Sequence, residues 1–278
     1  MNRLDTVTRS QVIRCLVEGN SIRATVRMTG VAKNTISKLL VELGAKCQAY
    51  QSEVLVNLNC KRLQVDEIRA FVGAKQKNVR PHHFEDGGYA GDVWTWLAID
   101  VDTKLVPCWV LGPRDTATGR DFIGDLAERL ANRLQLNTDG LKVYLNAITE
   151  VIQGDIDYAI LHKIYGRDMP DASRYSPAQC VGCEKKTAIG RPDPEHISTS
   201  YAERQNLTMR MHMRRFTRLT NSFSKKVENH MAAVALHFMY YNFAKVHQTL
   251  KTTPAVAAGI ANHVWSVDDI VALLGESN

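Results

Sequence analysis

The feature that most constrains this 278-residue chain is a change of hydrophobic period at Arg62. From there RLQVDEIRAFVG reads as a strand, with Leu63, Val65, Ile68 and Phe71 as its apolar positions. A polar loop over 75–91 follows. Then DVWTWLAIDVDTKLVPCWVLG sets two aromatic and β-branched runs around Asp102-Thr103-Lys104, which predicts a hairpin. Residues 117–134 carry Phe122, Ile123, Leu126, Leu130 and Leu134 at helical spacing. After them come a short strand, LQLNTDG, a helix, LKVYLNAITEVI, and another strand, IDYAILHKIYG. The order βββαβαβ commits the chain to the α/β class, as a mixed five-stranded sheet with helices on its faces. Residues 166–199, punctuated by Pro170, Pro177, Gly182, Gly190, Pro192 and Pro194, read as a loop. Residues 200–244 read as one long helical stretch, and the tail from His247 as two short helices interrupted by Pro254.

Upstream of the sheet the pattern is helical. Val12, Ile13, Leu16 and Val17 share one helical face, Gly19-Asn20-Ser21 breaks it, and Ser21 suits the N-cap of IRATVRMTG. After Gly30 a third helix runs from about Asn34 through Leu43, and 45–62 reads as a connection. Two helices joined by a short glycine turn, the second opening on a polar and basic face, form a helix-turn-helix arrangement. Lys33, Asn34, Thr35, Ser37 and Lys38 would then face DNA bases and phosphates. The competing reading is an ordinary three-helix cap. The domain plan is therefore a helix-turn-helix over 1–46, a linker over 47–61, an α/β domain with a basic helix over 62–245 and a helical tail over 246–278.

Charge placement favours the DNA reading. The formal net charge is +6. Residues 1–46 hold eight Lys and Arg against three acids, and residues 203–226 hold seven against one, so the remainder is net acidic. Two basic blocks around an acidic middle suit a polyanion. In the second block Arg210, Arg214, Arg215 and Arg218 would neutralise phosphates. Hydrophobic residues at 45% and charged residues at 23% exclude a disordered or fibrous chain. The longest apolar stretch, 231–243, is too short to cross a bilayer, and the first residues lack the apolar run of a secretory signal. Six cysteines in a chain of this length fit a reducing compartment. The expectation is a cytoplasmic, nucleoid-associated protein with neither membrane nor small-molecule partner.

Three carboxylates stand where phosphodiester chemistry would use them. Hard divalent cations take oxygen ligands, and two such ions can stabilise the attacking and leaving oxygens together. Asp66 interrupts an otherwise apolar strand, where an unpartnered carboxylate is costly. Asp139 closes LQLNTDG before a glycine, and Glu203 opens the basic helix, with Asn206 and Arg210 on its face, a stripe that suits a metal beside a DNA phosphate that Asn206 and Arg210 would contact. Singly, each has a plainer account. Asp139 suits a turn, Glu203 suits a surface ion pair, and Glu67 competes with Asp66 because strand neighbours face opposite ways.

Taken with LQVDEI, GDVWTWLAID, LNTDG, STSYAERQNLTMRMHMRRFTRLTNSFSKK and YNFAKVHQTLKTTPAVAAG, these residues place the chain near a known family. It resembles the DDE transposases of bacterial insertion sequences, most closely the insertion-sequence-one family, over about residues 9–273. The resemblance implies a ribonuclease H-like catalytic domain, with Asp66, Asp139 and Glu203 as the acidic triad holding two Mg²⁺ (or Mn²⁺) ions. It also implies recognition of terminal inverted repeats by the N-terminal helices, with Arg210 at the DNA end. Such an enzyme cleaves element ends and joins them to target DNA, and pairing two ends implies a homo-oligomer on double-stranded DNA. Two features depart from the family pattern. Cys15 is the first cysteine, so a cysteine-based zinc module is not expected ahead of the helix-turn-helix, and Arg69 stands where relatives often have Trp.

Two rivals remain at this level, a ribonuclease H-like nuclease or resolvase without joining activity, and a non-catalytic DNA-binding regulator. Among weaker signals, Cys180 and Cys183 form a lone CxxC for which a loop is a simpler setting than a zinc site, with His196 as a conceivable third ligand. His82-His83 reads as solvated. Trp94, Trp96 and Trp109 read as sheet packing, and Met209, Met211 and Met213 cannot all face one core.

Overall fold

The computed structural model describes residues 4–166, 180–217 and 221–275, with backbone alone at 85–87. Three helices come first. Asp5 caps α1 (Thr6–Val17) by accepting from the Thr8 amide at 2.7 Å. Ser21 caps α2 (Ile22–Thr29), which stops at Gly30 in the left-handed region, φ 71°. The third helix, α3 (Lys33–Val54), runs well past Leu43 and absorbs residues expected to form a connection. The reason is burial: Leu43, Cys47 and Gln51 continue one helical face. At Gly44 that face meets Ala232 so closely that a Cβ would clash with its backbone.

The sheet follows: β1 (Arg62–Val72), β2 (Gly91–Asp100), β3 (Trp109–Gly112), α4 (Thr116–Arg129), β4 (Gln135–Thr138), α5 (Lys142–Val151), β5 (Asp157–Tyr165) and β6 (Cys180–Ile189). Strand order is β3-β2-β1-β4-β5-β6. The first three strands are antiparallel neighbours, β1-β4-β5 are parallel, and β6 returns antiparallel to β5. The hairpin turns where expected: the Asp100 carboxylate accepts from the amides of Asp102 and Thr103, and Lys104 has φ 62°. The sheet has six strands rather than five, because part of the segment read as loop, Cys180–Ile189, is an edge strand. Most of its side chains are exposed, so it shows none of the apolar alternation by which a half-buried strand is recognised. The mixed α/β sheet with flanking helices is consistent with the expected ribonuclease H-like arrangement.

Helices α4 and α5 cover one face, where Trp96 packs against Phe122 and, edge-on, Tyr144. The other face is covered by α6 (Ser200–His212) and α7 (Val227–Met239), with Ala202, Met209, Val234 and Phe238 against Ile68, Ala70 and Leu97. The long helix expected over 200–244 is thus two helices. Met213 is extended (φ −126°, ψ 103°), and the break lets Phe216 turn inward beneath α7. The tail holds α8 (Pro254–Ala257) and α9 (Val267–Ala272). Among the described residues no helix is long and apolar enough to cross a membrane.

Candidate active site

Alternation along β1 sends successive side chains to opposite faces. The Gln64 side-chain oxygen accepts from the amides of Tyr201 and Ala202 at the start of α6, whereas Glu67 accepts from the Tyr144 hydroxyl on α5 at 2.6 Å. Strand β4 accompanies β1 only as far as Asn137 opposite Gln64, and two further places in that register set Asp139 opposite Asp66. Where β4 ends, the two side chains of β1 come round to the opened corner. Asp66, Glu67 and Asp139 each place a carboxylate oxygen within 4.8 Å of the others. This corner lies at the carboxyl end of a parallel strand, the usual ligand crevice of an open α/β sheet. Asp139 is fixed by the Leu141 amide at 2.9 Å, and a Cβ on Gly140 would lie 2.4 Å from the His162 ring, which would have to move.

The corner is electrostatically strained. Burial first, then the charges of Glu67, Asp139 and Glu203, push the Asp66 carboxyl up to about 7, against a hydrogen bond from the Glu67 amide. Burial and Asp139 also raise Glu67, opposed by Tyr144 and by Arg114, whose Nε donates to Glu67 at 2.7 Å. Arg114 in turn sits over the Trp94 ring. The Asn206 amide donates to Asp66 at 2.8 Å, leaving its buried Oδ1 without a partner among the described residues. An all-oxygen, net negative donor set beside an orphaned amide oxygen fits a hard divalent cation such as Mg²⁺ or Mn²⁺.

The carboxylates expected from sequence are therefore divided. Asp66 and Asp139 meet. Glu203 lies close enough to raise Asp66, yet its carboxylate is engaged by the Lys163 ammonium and by Thr199 Oγ1 at 2.6 Å. The third oxygen donor within 4.8 Å is Glu67. Lys163, Tyr144 and Arg114 were not singled out from sequence. Lys163 falls on β5 inside an apolar strand pattern, which was the one available signal.

No protein-family model matches the chain, and no curated protein matches it. Among solved structures, the chain is similar to the piggyBac transposase seen by cryo-EM in a synaptic complex with hairpin DNA. The identity is 11%, over 98% of this chain and 70% of that one, with a TM-score of 0.42. A likeness that distant assigns no residue and no activity here.

The residues expected to meet DNA fall in two places. Lys33, Asn34, Thr35 and Lys38 are exposed on the first turns of α3, with Ser37 half-buried among them. Asn206 is buried and holds Asp66, and Arg210 is half-buried near the end of α6. Arg214 is exposed, whereas Arg215 donates to Ser224 Oγ at 2.7 Å and burial lowers it to about 10. Arg218 lies outside the described residues. Arg69 forms a two-pronged ion pair with Asp92.

The CxxC thiols lie 4.0 Å apart at the exposed start of β6, and no cluster of three metal-ligating groups includes them among the described residues. His196 faces Asp193 instead. His82 and His83 stack on each other near the surface. Trp96 is fully buried, and Met209 and Met213 are buried while Met211 is exposed.

Proposed function

We propose that this chain is a DNA transposase of the kind carried by insertion sequences, akin to the insertion-sequence-one family, cutting and joining DNA with divalent metal ions. The observation that supports the reading best is the meeting of Asp66 and Asp139, from strands 73 residues apart in sequence, at the carboxyl end of β4. Asp66, Asp139 and Glu67 or Glu203 would hold the metal, and Mg²⁺ bound there supplies Lewis-acid stabilisation of charge on a scissile phosphate and its entering oxygen. Asn206 and the Glu67 amide orient Asp66, while Tyr144 and Arg114 orient Glu67. Water attacks phosphorus and the bond to the 3′ oxygen breaks. The freed 3′-hydroxyl then attacks a target phosphodiester in line, the target's own bond from phosphorus to its 3′ oxygen breaks, and that oxygen leaves as a hydroxyl, so no covalent protein–DNA intermediate forms. In this reading α2 and α3 are the helix-turn-helix that recognises element ends, the sheet and α6 are the catalytic domain, and two copies pair two ends.

The test uses a duplex carrying the inverted repeats that flank the coding region, with a target plasmid. Mg²⁺-dependent nicking and joined products are expected, and both disappear in Asp66→Asn and Asp139→Asn. Nicking without joining would leave the nuclease reading. The ion pair of Lys163 with Glu203 favours one rival, a protein that occupies DNA ends without cutting. That rival survives if end binding occurs and no metal yields a cut product.

A further inference from the structure

We propose that the cleft between the N-terminal helices and the chain following α6 is a clamp for one sugar–phosphate backbone of duplex DNA. Both basic blocks of the sequence then hold the same stretch of DNA. The inference rests on the transposase reading and locates where its DNA lies.

The cleft has a volume of about 1130 Å³. Arg23, Lys33, Asn34 and Lys38 line one wall, and Arg214, Lys225, Lys226 and Asn229 line the other. Its floor is a close contact: a Cβ on Gly19, in the turn between α1 and α2, would lie 3.0 Å from the His212 carbonyl oxygen. Glu42 is the only carboxylate among the described lining residues. Arg23, Lys33, Lys38, Arg214 and Lys226 are exposed, and among the described residues none has a carboxylate at ion-pair distance. Outside the cleft both kinds occur. Arg62, Arg69, Arg120 and Arg133 are each ion-paired. Lys46, Lys77, Lys142 and Lys186 are exposed and without a carboxylate at ion-pair distance among the described residues. What marks the cleft is concavity: five such cations face one space from two walls, as a polyanion site requires.

The walls are held in register. Helix α3 packs on α7 through Gly44 and Ala232, and the Tyr240 hydroxyl donates to Glu18 at 3.1 Å. A concave, cation-lined groove with the side-chain amides of Asn34 and Asn229 fits a strand-like phosphate chain better than a flat anionic bilayer. Its position also matters. From Asn206, which donates to Asp66, to His212 on the cleft is six residues of α6, roughly 9 Å at the helical rise. That is on the order of three base pairs, so DNA held in the cleft lies near the carboxylate corner.

The probe is a fluorescent duplex of about 30 base pairs, titrated by anisotropy over a series of salt concentrations. The variants are Lys33→Ala with Lys38→Ala, Lys225→Ala with Lys226→Ala, and all four together. Each pair is expected to weaken binding about tenfold or more and to flatten the log–log salt slope by about 2, and the four together by about 4. Circular dichroism checks folding. Should a pair unfold the protein, Lys38→Cys and Lys226→Cys bearing a photo-crosslinker are each expected to attach to the same duplex. The proposal is overturned if only one wall affects binding, if only one position crosslinks, or if phosphatidylserine vesicles bind and duplex does not. The cleavage assay separates the two readings. Cleft variants that lose binding in a protein that never cuts DNA would sink the transposase reading and keep the clamp. A cutting enzyme indifferent to all four substitutions would do the reverse.

Discussion

Asp66, Glu67 and Asp139 crowd like charge into a partly buried corner of the sheet, whereas Arg23, Lys33, Lys38, Arg214 and Lys226 spread like charge over exposed walls. In the corner, burial and mutual repulsion raise Asp66 to about 7, so the fold itself bears a cost that a cation would relieve. On the walls, water screens each cation, and the arrangement costs the fold little. A site built the first way is set for chemistry at one point, and one built the second way for salt-sensitive grip over a length. The seam between them is α7, which packs under the sheet on one side and against α3 on the other.

Four results would break or sharpen this contrast, the largest first. Asp66→Asn is expected to lower Mg²⁺-dependent cleavage by about 10³-fold or more while duplex affinity changes less than about twofold. A cleavage assay run beside anisotropy reads both, and equal losses in the two would merge the regions into one site.

Next comes pH. His230 and His237 on α7 are buried, and burial followed by nearby positive charge lowers each to about 3. The unfolded chain therefore binds more protons than the folded one between about pH 6.5 and 3. The stability these residues contribute is complete above 6.5 and lost as pH falls, by about 2 kcal/mol each at pH 5. Urea denaturation at pH 7 and pH 5 measures it. Replacing both with Gln should flatten the dependence, and an unchanged slope would mean that α7 is not the seam described.

A smaller effect is expected from Gly44→Leu. The added side chain must part α3 from α7, costing about 2 kcal/mol in urea and weakening duplex binding at constant charge. The last is the relief of repulsion. The raised Asp66 pKa makes the folded state hold its proton where the unfolded chain has lost it, so wild-type stability falls as pH rises from 4 through 7. Asp66→Asn should therefore be more stable than wild type at pH 8 without metal. Mg²⁺ should raise the melting temperature of wild type and leave the variant unmoved. A destabilised variant would contradict the strained corner.

Local pattern carried much of the fold and part of the site. The hairpin turn at Asp100–Lys104, the cap at Ser21 and the stop at Gly30 depend on contacts within a few residues, and they stand where the sequence pointed. Asp66 was conspicuous because a carboxylate inside an apolar strand asks for a partner. Strand β6 was illegible because an exposed edge strand has no buried face to impose alternation. The run of α3 past Leu43 was equally hidden, since a glycine at 44 reads as a break until Ala232 is set against it.

The chain alone determined which segments are helix or strand wherever one face is buried, and which carboxylates and cations exist to be used, because periodicity and composition are local properties. Only the tertiary structure decided that Glu67 rather than Glu203 stands within 4.8 Å of Asp66 and Asp139, and that Lys163 engages Glu203 instead. It alone brought residues near 23–38 to face residues near 214–229 across one cleft. Those outcomes depend on where β4 ends beside β1 and how closely two helices pack, distances between parts of the chain that no spacing along it encodes.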